Sequence, residues 1–153
     1  MRVTLHTSVD TDVSPDLIRR ALLDFSDRRP DIWPQLDPKT YKVHSVGETS
    51  ADVTEGSPFP KVWSREQYDW SHPTKITWTA AESNFCTPGS HVSMDIVPTD
   101  SGGCQVAVTW DRTAANMRGR VNLAVIGVGG ERLLNWATKK SLADVEKAYL
   151  TDN

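Results

Sequence analysis

The sequence has few cysteines, no long apolar run and no excess of basic residues. Two of its 153 residues are cysteines, Cys86 and Cys104, too few for a disulfide framework or a zinc site. The longest apolar run, Leu123–Val128, is too short to cross a bilayer, so no stable membrane insertion is expected. A net charge of −3 predicts no basic surface for nucleic acid or for an anionic membrane, and nucleic acid is excluded as a partner.

The N-terminus lacks the apolar segment of a signal peptide, and free thiols suit a reducing compartment, so we expect a cytoplasmic protein. Hydrophobic content of 38% and charged content of 24% are typical of a globular protein. The length favours one domain over residues 1–153, large enough to bury a core. Six tryptophans are unusual in a chain of this size, and Trp is common in cores and binding-site walls.

Periodicity predicts an α+β layout. Alternation over Arg2–Val9 indicates a half-buried strand, and Ser14-Pro15-Asp16 is a helix N-terminus signal. A second, very short helix is predicted between Pro30 and Pro34. About six antiparallel strands follow up to Thr113, and apolar spacings of three and four from Glu131 onward predict a long helix.

Two hairpin registers can be predicted, because a correct register gathers apolar residues on one face. With Ser71–Pro73 as a loop, Tyr68 faces Ile76 and Glu66 faces Trp78. With Thr99–Gly103 as a loop, the facing pairs are Ile96 with Val106, Met94 with Val108 and Val92 with Trp110.

The glycine-rich stretch Asn122–Leu134 allows two interpretations, a dinucleotide-binding turn or part of a helix. Gly127 and Gly129 fit the first two glycines of the dinucleotide motif, but Arg132 occupies the third position. No second strand and ribose-binding acid follow, so the nucleotide interpretation is rejected. We expect a helix with a kink or break around Gly127–Gly130, near the entrance of a ligand site.

This element order resembles that of the START/SRPBCC superfamily, also called birch-pollen-allergen-like, and in particular its small bacterial polyketide cyclase/dehydrase-like members. The segments that carry the likeness are residues 13–16, 31–34, 62–66, 74–78 and the terminal helix from Arg118. The resemblance implies a helix-grip fold, in which a curved antiparallel sheet wraps around the C-terminal helix and two short helices close one end. It also implies an apolar cavity for a lipid, sterol, polyketide, plant hormone or quinone. It implies no cofactor and no universal catalytic signature.

Strand faces and the fold together predict which side chains line the cavity. The predicted set is Trp33, Glu66, Tyr68, Trp70, Trp78, Met94, Val108, Trp110, Arg112, Ile126, Gly130 and Leu134. The alternative is that these side chains simply fill a core, as aromatic and Met stripes usually do.

Catalytic residues stay undetermined, with Glu66, Tyr68 and Arg112 as candidates. Alternation puts Glu66 and Arg112 on the apolar face, where a carboxylate away from water should have a raised pKa and could exchange a proton with a substrate. Arg112 could pair with Glu66, or hold a carbonyl or carboxylate of the ligand. The alternative is a structural or solvated pair at the cavity mouth.

No metal site is expected, because His91 opposite Asp111 and near His6 fits a solvated surface cluster better than a metal site. Trp63 falls on the outer face by alternation, which indicates a wrong assignment, a bulge or a dimer contact.

Three functions remain: binding of a small hydrophobic ligand, a polyketide cyclase/dehydratase-type enzyme using Glu66, or a partner-binding module marked by Trp63. The oligomeric state is monomer or homodimer.

Overall fold

A computed structural model describes residues 1–150, over which seven strands and three helices follow in the predicted order. Their bounds are β1 Arg2–Thr11, α1 Pro15–Leu22, α2 Arg29–Ile32, β2 Lys42–Val46, β3 Ser50–Pro58, β4 Lys61–Asp69, β5 Lys75–Ser83, β6 His91–Pro98, β7 Cys104–Thr113 and α3 Met117–Leu150. The predicted cap of α1 is confirmed, since the Ser14 hydroxyl accepts a hydrogen bond from the Leu17 backbone N–H at 3.2 Å.

The strands form one antiparallel sheet in the order β1-β7-β6-β5-β4-β3-β2. Strands β2 to β7 are therefore a meander, and β1 joins its far edge beside β7. Helix α3 packs against β1 and β7 and against both short helices. This arrangement confirms the predicted α+β helix-grip layout.

One of the two predicted registers is correct and the other is shifted. Strands β6 and β7 pair as predicted, including Met94 with Val108. In the β4–β5 hairpin Tyr68 pairs with Trp78 rather than Ile76. The reason is a longer loop, in which the Asp69 carboxylate accepts hydrogen bonds from the backbone N–H and the hydroxyl of Ser71. A shift of two residues leaves each side chain on its predicted face.

The apolar residues form two clusters. The main cluster lies between the sheet, the short helices and the C-terminal part of α3, and includes the fully buried Ile76 and Val145. A second, smaller cluster joins Leu123 of α3 to Ala80, Phe85 and Cys86. The two parts of α3 are therefore anchored to different clusters.

Helix α3 is interrupted at Gly130, as the glycine-rich stretch predicts. Gly130 has φ 58° and ψ −149°, which is a conformation that is outside the helical range and essentially restricted to glycine. The break divides α3 into an N-terminal segment, residues 117–129, and a C-terminal segment, residues 131–150.

Candidate functional site

Two adjoining cavities lie between the sheet and α3. The larger has a volume of about 1010 Å³ and the smaller about 240 Å³. Both are lined by Gln35, Leu36, Glu55, Trp78, Val92 and Trp110. The N-terminal segment of α3 lines the larger cavity and the C-terminal segment lines the smaller one, so the break at Gly130 lies at the boundary between them.

The larger cavity has aromatic walls and an opening between the β3–β4 hairpin and α3. Its aromatic side chains are Phe59, Trp63, Trp78, Phe85 and Trp110. Small-molecule sites in proteins typically measure about 300–1,000 Å³ and have mostly apolar walls, so this cavity is at the large end of that range.

The structure brings together ten of the twelve side chains that the sequence assigns to the cavity. The larger cavity is lined by Glu66, Trp78, Trp110, Arg112 and Ile126. The smaller is lined by Trp33, Tyr68, Met94, Val108 and Leu134, together with Trp78 and Trp110.

Trp70 and Gly130 do not line either of these two cavities. Trp70 follows the end of β4, where its ring stacks on Phe25 at 5.9 Å and its indole N–H donates to the Glu48 carbonyl. It therefore covers the edge of the main cluster. Gly130 has no side chain and contributes the break in α3 instead.

Trp63, which alternation assigns to the outer face, is half-buried and contributes to the wall of the larger cavity. The β4–β5 pairing shifts between Arg65 and Glu66. The extra residue is Ala81 of β5, whereas β4 keeps an unbroken register with β3 through Trp63. Trp63 thus gives no support to a partner-binding module.

Glu66 and Arg112 form a buried ion pair in the wall of the larger cavity. Arg112 Nη2 donates to Glu66 Oε1 at 2.8 Å, and Arg112 Nη1 lies 3.6 Å from the sulfur of Cys86. Glu66 and Arg112 are 3% and 6% exposed, which rules out the solvated pair at the cavity mouth. Among residues 1–150, Glu66 Oε2 has no hydrogen-bond partner.

Burial dominates the electrostatics of this pair. It raises the pKa of the Glu66 carboxyl and outweighs the opposing effect of the Arg112 charge. Burial also opposes the charge on Arg112, but Glu66 and Cys86 together more than compensate, so the pKa of the guanidinium is raised. The site therefore combines a permanent cation with a carboxyl group that takes up a proton more readily than an exposed glutamate does.

A second polar cluster, which the sequence interpretation missed in part, joins α2 to β3 and β4 in the wall of the smaller cavity. Arg29 Nε donates to Glu55 Oε1 at 2.9 Å and Nη2 donates to the Tyr68 hydroxyl at 3.1 Å. The Tyr68 hydroxyl in turn donates to Glu55 at 2.9 Å. Burial, followed by the Glu55 charge, raises the pKa of the Tyr68 phenol well above its usual range. Tyr68 is therefore a neutral, structurally engaged side chain at neutral pH.

The sequence contained an indication that Glu55 points inward. It alternates along β3 with Ala51 and Val53, which are both buried. No pattern in the sequence indicates the position of Arg29, since it begins a helix of only four residues.

The predicted surface cluster around His91 contains an ion pair. Asp111, which pairs with His91 across the sheet, forms a salt bridge with Arg2 at 2.7 Å. Within the described chain no group of three or more His, Cys, Asp or Glu side chains could hold a metal ion.

Comparison with solved structures identifies the architecture. A START superfamily protein from Mycobacterium smegmatis superimposes with a TM-score of 0.62 at 12% identity, covering 95% of this chain and 93% of that one. An aromatase/cyclase from Streptomyces sp. R1128 gives 0.65 at 12% identity, with 99% and 90% covered. Truncated norcoclaurine synthase from Thalictrum flavum gives 0.68 at 13% identity, with 100% and 96% covered.

No protein-family model and no curated protein matches the sequence. None of the helices over residues 1–150 is both long and apolar enough to cross a membrane. At identities of 10–14% the likeness to solved structures concerns the fold. The chain has the helix-grip fold of the START/SRPBCC superfamily.

Proposed function

We propose that the protein binds a small hydrophobic molecule of the lipid, polyketide, sterol or quinone class in the larger cavity. The observation that carries the proposal is the volume of about 1010 Å³ enclosed mainly by aromatic and aliphatic side chains. A filled core, the alternative interpretation of these side chains, would leave no such space. The same cavity argues against a partner-binding module with a collapsed interior.

Native mass spectrometry of the purified protein tests this proposal, because a tightly held ligand remains bound in the gas phase. Addition of a fatty acid, a sterol or a quinone should also raise the melting temperature, since a ligand that binds only the folded state stabilises it. At a hundred times its Kd the expected gain is about 2.7 kcal/mol. If no molecule co-purifies and no compound raises the melting temperature, the proposal fails.

A matched pair of variants locates the binding. Ile126 lines the larger cavity, so Ile126→Trp should fill part of it and weaken the stabilisation by ligand. Val128 is on the same helical segment, 90% exposed and outside the cavity walls, so Val128→Trp is the control. Equal responses of the two variants would place binding elsewhere.

A second candidate function is an enzyme of the cyclase/dehydratase type acting on a polyketide-like substrate. It is favoured by the buried Glu66, whose pKa is raised and whose Oε2 has no partner among the described residues. Glu66 would exchange a proton with the substrate, Arg112 would fix the other carboxyl oxygen, and the aromatic wall would orient the substrate. Tyr68 is engaged by Glu55 and Arg29, which makes it the weaker candidate.

Turnover of polyketide substrates by the wild type and by Glu66→Gln tests this second candidate. Loss of a general acid or base costs about a hundredfold or more in rate. Glu66→Gln should therefore lose turnover while ligands still raise its melting temperature, and the exposed Glu82→Gln should behave like the wild type. Full activity of Glu66→Gln would reject Glu66 as the proton-transfer residue.

Both candidate functions suit the cytoplasmic location that we propose, since Cys86 and Cys104 are free and buried.

A further inference from the structure

The opening of the larger cavity is bordered by exposed apolar side chains. Phe59, at the tip of the β3–β4 hairpin, is 96% exposed, and Met117, Val121 and Val125 face it from α3 and are all exposed. We call these four residues the apolar rim. Isolated exposed apolar residues are common, but a group of them around a cavity entrance marks an interaction surface.

The exposed charges on the two segments that carry the apolar rim are basic. The hairpin segment 56–65 contains Lys61 and Arg65 but no acidic residue, and segment 113–130 contains Arg118 and Arg120 but no acidic residue. The chain as a whole carries a net charge of −3, so this basic border departs from the average surface. Arg118 itself lines the larger cavity, which puts positive charge at the opening.

The acidic groups near this border are paired with other residues. Glu55 pairs with Arg29, Glu66 pairs with Arg112, and the exposed Glu82 lies opposite Arg65. The carboxylate of Asp52 accepts two hydrogen bonds from Arg65, so Arg65 is largely neutralised. Asp37 faces Lys61 and Lys39, and its side chain accepts hydrogen bonds from the Lys39 backbone N–H and from Thr40. The uncompensated positive charge is therefore that of Arg118 and Arg120 on α3, with Lys61 shared.

We propose that the apolar rim docks on the surface of an anionic phospholipid bilayer, with Arg118, Arg120 and Lys61 at the lipid headgroups. Exposed apolar side chains flanked by basic ones have the chemistry of interfacial membrane binding. Self-association through the same surface fits less well. A two-fold contact would bring the basic residues of both copies together without acidic partners. Docking would open the larger cavity towards the lipid phase without any segment crossing it.

Vesicle co-sedimentation tests the proposal, with the full-length protein and two kinds of vesicle, phosphatidylcholine alone and phosphatidylcholine mixed with phosphatidylglycerol. Binding should favour the anionic vesicles and weaken as salt is added. Each basic side chain at an anionic bilayer contributes a roughly fivefold gain in partitioning. Arg118→Gln/Arg120→Gln should therefore lose about 25-fold in binding. Phe59→Ser/Val125→Ser should lose about tenfold or more, because two apolar side chains no longer enter the interface.

Two control variants remove the same chemistry elsewhere on the surface. Val46→Ser/Val97→Ser removes exposed apolar side chains away from the rim, and Lys75→Gln/Lys139→Gln removes two exposed charges. Both should bind vesicles like the wild type. All substituted apolar residues are exposed, so the melting temperature should change little and checks that the variants fold.

The proposal is overturned by any of three results. The first is no binding to anionic vesicles, and the second is equal loss of binding in the rim variants and the controls. The third is a dimer, seen by light scattering, that Phe59→Ser/Val125→Ser dissociates while vesicles are not bound. Ligand binding is measured without vesicles, so the proposed function can hold when membrane docking fails, and the reverse.

Discussion

Arg112 Nη2 donates a 2.8 Å hydrogen bond to Glu66 Oε1 in the wall of the larger cavity, and both side chains are buried. The pair is held by two strands that are not neighbours in the sheet, β4 and β7. Its consequences for stability and for proton binding can each be measured, as can those of the second polar cluster and of the break in α3.

Removing only one partner of the Glu66–Arg112 pair should lower the stability of the protein. Arg112→Ala leaves the Glu66 carboxylate buried without a counter-charge, and we expect the free energy of unfolding to fall by about 3–5 kcal/mol. Glu66→Leu/Arg112→Met removes both charges and should recover most of the loss. Urea denaturation measures these changes, with Arg65→Ala as the control because its pair with Asp52 is partly exposed and worth about 1 kcal/mol or less. A double variant less stable than Arg112→Ala would contradict this account.

The raised pKa of Glu66 makes its contribution to stability depend on pH. Because the carboxyl binds its proton more tightly in the folded state, the folded state is favoured while Glu66 is protonated. This contribution is lost as pH rises from the unfolded pKa through the raised folded pKa. The stability of the wild type relative to Glu66→Gln should therefore decrease over that window. Carbon-13 NMR of the Glu66 carboxyl gives the pKa directly, and a value below that of an ordinary glutamate would show that Arg112 prevails over burial.

The Tyr68 hydroxyl should matter more for stability than that of Tyr41. Tyr68→Phe removes hydrogen bonds with Glu55 and Arg29 inside the protein, and we expect a loss of about 1–3 kcal/mol in the free energy of unfolding. Tyr41→Phe removes one exposed hydrogen bond to the Ser26 carbonyl and should cost clearly less. Thermal and urea unfolding of both variants give the comparison. If the two variants lost similar amounts of stability, the cluster of Arg29, Glu55 and Tyr68 would tolerate the loss of the Tyr68 hydroxyl.

Substitution of two glycines of α3 by alanine should change the stability of the protein in opposite directions. Gly127 is helical, and an added Cβ would meet only Val3 at 3.7 Å, so Gly127→Ala should stabilise the protein by up to about 1 kcal/mol. Gly130 has φ 58°, so Gly130→Ala should destabilise it by about 1–3 kcal/mol, although the space around it is open. Denaturant unfolding distinguishes the two signs. If both substitutions stabilised the protein, α3 could become a straight helix at Gly130 with little loss of free energy elsewhere.

Local patterns in the sequence determined much of the architecture. The cap at Ser14, the meander of strands and the β6–β7 register depend on neighbouring residues or on a short loop. The break near Gly130 also followed from composition, since glycine weakens a helix wherever it lies. The faces of Glu66 and Arg112 followed from alternation alone.

Tertiary structure decided what local patterns do not contain. The Glu66–Arg112 contact joins residues 46 positions apart, and Arg29 reaches Glu55 and Tyr68 from a helix too short to show a pattern. Trp70 lies outside the walls of both cavities because it follows the end of β4, where alternation stops. Alternation fixes the face of a side chain, whereas the size and opening of a cavity depend on how far α3 lies from the sheet. That distance follows from the packing of the whole chain.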